Sequence, residues 1–223
     1  APVAGGARQI VVTETAGDSR YKALNLTVEK PAANNTWGLL MTYTLSELTN
    51  NTDDINFRAA NPNRFDDEWG PSVNDRRHVI SSVLYFYPLD SVTVSVAAQI
   101  ESGQPVTLIP DPGIYGTTDL NGDGASFTDA YLGNSDRAPG VTRNSDRLPW
   151  SATVDVGLRY EPRMGDGRLQ LSADVFNVFN RENLSGFANS ATQSNQIQVF
   201  GQSFTQHNAG APRQFQFGLR YIF

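Results

Sequence analysis

No cysteine occurs in the sequence. That absence is ordinary in a cytosol, and it also suits export through an oxidising periplasm, where stray thiols are a liability. Lysine is scarce and the formal net charge is -6, so there is no basic footprint for nucleic acid. No apolar run of about 18 residues is present, which excludes a membrane-spanning helix, and mean hydropathy is -0.38. A spanning strand stays open, because about 9–11 residues suffice and only alternate ones need be apolar. Catalytic signatures are missing as well. There is no G-x-S-x-G, P-loop or H-E-x-x-H, so nothing supports a nucleophile elbow, a nucleotide site or a zincin. The sequence reads as a non-enzyme. Residues 1–6 lack a basic head and an apolar stretch, so the chain is expected to be mature or to continue a longer polypeptide.

What is present is alternation with a period of two. Phe215, Phe217, Leu219, Tyr221 and Phe223 share one phase, against Gln214, Gln216, Gly218 and Arg220. Leu169, Leu171, Ala173 and Val175 oppose Arg168, Gln170, Ser172 and Asp174. Ala152 to Tyr160 and Val92 to Ile100 repeat the pattern, as do Leu24 to Val28 and Leu39 to Leu45. His78 to Tyr87 is apolar in both phases, and Arg8 to Thr15 is short and weak. The sequence therefore predicts about eight strands. Glu29, Glu101, Asp155, Arg159, Asp174 and Arg220 all fall on the polar phase. A charge facing lipid at mid-membrane costs about 2–4 kcal/mol for Arg or Lys, so a lipid-facing stripe must exclude them. Lys22, Lys30 and Glu47 break the phase, but only at strand ends, where a long side chain reaches the headgroups.

The connections alternate between long and short. Residues 48–77, 102–150 and 178–213 are long; Pro31 to Asn35, Pro88-Leu89-Asp90 and Glu161 to Gly167 are short. Only Ala16 to Ser19 departs from that order. Outer-membrane barrels have short periplasmic turns and long extracellular loops, so the long segments are expected outside. Trp37, Tyr87, Tyr160 and Tyr221 fall where a periplasmic aromatic girdle belongs, and Trp150 at the outer one. The fold class expected is all-β: an antiparallel transmembrane barrel spanning residues 1–223, in the bacterial outer membrane.

Several stretches carry a family resemblance. Leu171-Ser172-Ala173-Asp174-Val175-Phe176-Asn177-Val178-Phe179-Asn180-Arg181 resembles the penultimate strand of the TonB-dependent outer-membrane receptors, in particular the Oar-like group, and Pro212 to Phe223 resembles their closing strand. Gly70-Pro71-Ser72-Val73-Asn74-Asp75-Arg76-Arg77-His78 resembles their "GPSDFDRRH" segment. Asp119 to Gly124, followed by Arg143-Asn144-Ser145, is similar to one of their loops, and Tyr21-Lys22-Ala23-Leu24 to a strand opening. The resemblance covers the chain from about Tyr21 onward. It implies a 22-stranded barrel of which this chain supplies the C-terminal part, together with an N-terminal plug and a TonB box that these residues do not contain. It also implies energised import of a large nutrient. The TonB complex is a partner only where a plug lies upstream. In outer-membrane proteins a last strand such as Phe215, Phe217, Tyr221 and Phe223 is the signal that the barrel-assembly machinery reads.

One loop has the pattern of a metal site. Asp119-x-Asn121-x-Asp123-Gly124 sets alternate oxygen ligands before a glycine, as calcium loops do. The EF-hand pattern wants Glu at the twelfth position, where Ala130 stands, so the half-site would be completed by Asp129, Asp111 or backbone carbonyls. A plain Asn/Asp/Gly turn accounts for the same residues, and both readings stay open. Calcium is the only cofactor suggested and none is required. His78 and His207 read as unrelated polar residues. Asp66-Asp67-Glu68 beside Arg76-Arg77 reads as solvated loop charge, and Asp155 and Asp174 are expected to pair with Arg159 and Arg220 as wall structure.

The leading expectation is the C-terminal barrel portion of a TonB-dependent receptor, with membrane lipid, the assembly machinery and an unidentified extracellular ligand as partners. The first alternative is a free-standing eight-stranded barrel acting as adhesin or anchor. Its lumen would have to be filled by side chains, and Gly157, Gly218, Ser95, Ser172 and Thr153 are small for that. The second is a soluble calcium-binding β-sandwich.

Overall fold

The computed structural model describes residues 13–32, 36–53, 59, 61, 63–117, 119–120, 137, 139–185, 197–199 and 208–223. Seven long strands form one curled antiparallel sheet: β1 (Ser19–Lys30), β2 (Trp37–Asn50), β3 (His78–Leu89), β4 (Val92–Glu101), β5 (Ser151–Tyr160), β6 (Gly167–Phe176) and β7 (Gln214–Ile222). Each long strand pairs with its neighbours in sequence. Of the first expected strand, Arg8–Val12 lies outside the described residues, and residues 13–18 are not strand. β1 and β7 share no ladder among the described residues.

Register makes the alternation two-dimensional. Leu24 lies opposite Leu45, Leu26 opposite Tyr43 and Val28 opposite Met41. The row passes through Leu39, Leu84, Val96 and Val156 to Val175 and Phe215. One face is thus apolar across all seven strands. None of its side chains is buried, and those of the outer strands are the most exposed, with Leu24 at 55 %, Phe217 at 79 % and Leu219 at 75 %. Among the described residues the buried apolar side chains are Val73, Val106 and Leu148 with Pro105 and Pro110, whereas twelve buried residues are polar or charged. A water-soluble protein inverts that ratio and does not leave so large an apolar patch open.

The strand with two greasy phases is settled by its partners. Ile80, Leu84 and Phe86 stand opposite Tyr43, Leu39 and Trp37, so Val79, Val83 and Tyr85 belong to the polar face. The register then shifts between Phe86 and Leu89. Pro88 sits in that bulge, where it removes no ladder hydrogen bond. Leu89 consequently pairs with Val92, and the tight turn is Asp90-Ser91 rather than Pro88-Leu89-Asp90.

The polar face carries Thr44 donating to Asn25 Oδ1 (2.7 Å) and Ser151 donating to Glu101 (3.1 Å). Asp155 accepts from the Asn177 amide (2.8 Å), and Arg159 lies 4.0 Å from Glu161. The expected pairing of Asp155 with Arg159 is therefore replaced by a backbone contact. Ser95, Gly157 and Asp174 line up across β4, β5 and β6, and Ser172 lies opposite Gly218.

At the end of the sheet with the short turns, Trp37, Tyr160 and Tyr221 sit in the apolar phase. Lys30 Nζ lies 3.9 Å from the Trp37 ring centre and donates to Trp37 O at 2.8 Å. Gly165, at φ 62, closes the β5–β6 turn. Tyr221 covers Gly167, where a Cβ would stand 2.6 Å from the phenol oxygen and 2.5 Å from Ile222 O. Gly167→Ala is expected to push β7 off β6 and cost about 1–3 kcal/mol, read as a lower urea midpoint for the detergent-folded protein.

Candidate functional site

The three long connections meet at the other end of the sheet and form a polar core there. Its centre is the guanidinium of Arg143, fully buried. The next residue, Asn144, has φ 52, a left-handed conformation that asparagine tolerates. Nε donates to Glu68 O at 2.9 Å, one terminal nitrogen pairs with Asp53, and the other donates to Asn50 O and to Asn50 Oδ1 (2.5 Å). Burial pushes the Arg143 guanidinium down from its ordinary value, and Asp53 opposes that shift.

Asp53 is the counterpart. Its Oδ1 accepts from Asn50 Nδ2 (2.8 Å), Ser72 Oγ (3.1 Å) and the Val73 amide (3.0 Å), and its Oδ2 accepts from Asn144 Nδ2 (2.7 Å) as well as Arg143. Five donors thus converge on the two oxygens of one carboxylate. Asn144 further donates to Pro71 O (2.8 Å), and exchanges hydrogen bonds with Thr107 Oγ1 at 2.9 and 3.0 Å.

Two more ion pairs extend the core. Arg137 grips Glu68 with two hydrogen bonds of 2.6 and 3.1 Å. Arg147 pairs with Asp75, which also accepts from the Leu48 amide (2.7 Å). Arg76 projects nearby; burial pushes its guanidinium down, while Glu101 opposes and Arg147 adds to the shift. The backbone joins in. Pro105–Ile109 pairs in parallel with Ile197–Val199 and antiparallel with Asp146–Arg147, tying the second long connection to the third. A concavity of about 230 Å³ opens on the polar face beside Asp75, lined by Tyr21, Thr44, Ser46, Asn74 and Arg76 among others.

The third connection leaves β6 through a sharp turn. Asn177 and Asn180 both have φ 49. Asn177 Oδ1 accepts from the Arg181 amide (3.0 Å), Asn177 Nδ2 donates to Ala211 O (3.0 Å), and Arg213 N donates to Asn180 Oδ1 (2.9 Å). Asn183 then borrows the free edge of β5, accepting from Ala152 N (2.8 Å) and donating to Ala152 O (3.0 Å).

Several sequence readings take their place here. Glu68 is not solvated loop charge; it is fully buried against Arg137, while Asp66 and Asp67 are exposed. His78 lies on the apolar face, sharing a 2.8 Å hydrogen bond with Tyr43 and stacking on Trp150 with ring centres 5.4 Å apart. It belongs to an aromatic band, and His207 lies outside the described residues. Of the calcium residues, Asp119 is part-exposed with its amide donating to Thr117 Oγ1 at 3.0 Å. Asn121, Asp123 and Asp129 lie outside the described residues. Phe215, Phe217 and Tyr221 share the apolar face of the closing strand, and Phe223 follows its end, fully exposed. Asp53, Arg137 and Arg143 are the residues that sequence reasoning missed. The signal was present only in Gly70 to His78 and Arg143 to Ser145, two separate motifs that the fold brings into contact.

The arrangement clamps loops: Arg137, Arg143 and Arg147 are each held in an ion pair. The sequence pattern of a family described as outer membrane beta barrel domain matches residues 2–216. No curated protein matches the chain.

Proposed function

Since the chain belongs to the outer membrane beta barrel domain family and is placed by it in the bacterial outer membrane, we propose that it is the C-terminal wall of a wider barrel, that of a TonB-dependent receptor importing a large nutrient. Family membership and a seven-strand wall whose apolar face is not buried support a membrane protein over the soluble sandwich. The observation that carries the proposal is the open sheet: β1 and β7 share no ladder among the described residues. In hydrocarbon an unpaired strand edge costs several kcal/mol per backbone group, which supports a wall closed by further strands.

The rows of small residues on the polar face support the same reading. Ser95, Gly157, Ser172 and Gly218 leave space that a narrow eight-stranded lumen has to fill. The motifs resembling the TonB-dependent receptors supply the transport reading. The long connections then lie outside the cell, where they meet ligand first, and the short turns lie in the periplasm. The closing strand, with Phe215, Phe217, Tyr221 and Phe223, is what the assembly machinery engages. In this reading the wall performs no catalytic step, and calcium at Asp119, Asn121, Asp123 and Asp129 would brace an outer loop.

The test is the intact mass and N-terminal sequence of the protein taken from native outer membranes. A much heavier chain with these residues at its end is the expected result. A mature chain beginning at Ala1 overturns the import reading.

A further inference from the structure

Cations do not belong on a lipid-facing stripe unless something meets them. On the apolar face of β1, the phase of Leu24, Leu26 and Val28 continues to Lys22 and Arg20 at the long-loop end. Lys22 stands opposite Glu47, and Arg77 reaches Glu47 at 3.1 Å with both side chains nearly half exposed. Arg20 and Lys22 are separated by about 7 Å along the strand. Lys22, Arg77 and Glu47 thus share one spot, with Arg20 next along the same phase of β1, in a protein whose net charge is -6. Directly beneath them an open concavity of about 230 Å³ is lined by Lys22, Leu24, Leu45, Glu47 and Arg77 among others.

We propose that this spot seats a phosphorylated, acylated lipid of the outer leaflet, with a phosphate on Arg20, Lys22 and Arg77 and acyl chain on Leu24 and Leu45. Arginine and lysine bind phosphate through charge-assisted hydrogen bonds. Leucines facing outward from a sheet contribute nothing to a free anion, whereas they match a hydrocarbon chain. Glu47 holds Arg77 in place when the spot is vacant and competes with the phosphate when it is filled. The opposite end of the same face differs. There Lys30 is already engaged by Trp37, and the exposed turn residues include Asp90 and Asp166. The inference rests on the outward orientation of the long connections given under the proposed function.

The experiment uses the whole protein extracted from outer membranes into detergent, titrated with a phosphorylated acyl glycolipid and with the same lipid stripped of phosphate, followed by native mass spectrometry. The triple variant Arg20→Gln, Lys22→Gln, Arg77→Gln is expected to bind the phosphorylated lipid at least about tenfold more weakly. Glu47→Gln is expected to bind it more tightly, and Arg163→Gln, at the far end, unchanged. Equal binding of the dephosphorylated lipid, wild-type binding by the triple variant, or displacement by an equal concentration of inorganic phosphate overturns the proposal. Orientation is read separately on intact cells with Ile114→Cys and Asp166→Cys. Labelling at position 114 alone upholds it; labelling at 166 alone overturns the orientation and the site together.

Discussion

Arg143→Met is expected to release the long connections, at a cost of about 3–5 kcal/mol in the stability of that end of the molecule. Methionine fills much of the volume but leaves Asp53 buried without its cation, and leaves Asn50 O and Glu68 O without their donor. An uncompensated buried charge is the expensive part, because the carboxylate keeps its desolvation cost and loses the partner that offset it. The effect is local. Hydrogen exchange of the detergent-folded protein should accelerate at Glu68 to Asp75 and at Pro105 to Ile109, while β4, β5 and β6 keep their protection. The double variant Arg143→Met, Asp53→Leu should recover a large part of the loss, since it removes both charges together. Uniform acceleration across the strands would mean that the cluster stabilises the sheet and not the loops.

Val96→Arg is expected to cost about 2–4 kcal/mol, and Ala97→Arg, one residue later on the same strand, less than about 1 kcal/mol. Val96 lies in the apolar row between Leu84 and Val156; Ala97 lies on the polar face between Val83 and Asp155. A guanidinium at 96 meets hydrocarbon, whereas at 97 it meets a carboxylate and lumen water. Urea unfolding in lipid vesicles measures both. The pair also reports on barrel width, because a lumen already packed with side chains rejects arginine at 97 through overpacking. Equal large losses at both positions would favour the narrow barrel and count against the proposed wide one.

The wall was legible in the sequence because a lipid-facing sheet must repeat every two residues and must keep charge on one phase. The strands at Val92, Ala152, Leu169 and Phe215 declare themselves on that ground alone. His78 to Tyr87 did not, since both phases are apolar; only pairing of Phe86 with Trp37 and of Leu84 with Leu39 assigns it. The bulge at Pro88 was hidden for the same reason. The loop core was scarcely legible. Arg143 and Asp53 are 90 residues apart, and neither carries a local pattern that marks it as buried. Glu68 was misread because a run of acids normally sits in water. Its neighbours Asp66 and Asp67 do, and only the arrival of Arg137 takes Glu68 inside.

Because every long strand pairs only with its neighbours in sequence, the wall is built from hairpins that can be gained or lost in whole units without rerouting the chain. The loops do not share that modularity. Pro105–Ile109 is laddered to Ile197–Val199, and Arg143 reaches back to Asn50 and Asp53. A lineage that duplicates or exchanges one hairpin therefore inherits a mismatched rim. Recombination among relatives should succeed when breakpoints fall in the short turns at Asp90 or Gly165 and the interlocked loops travel together.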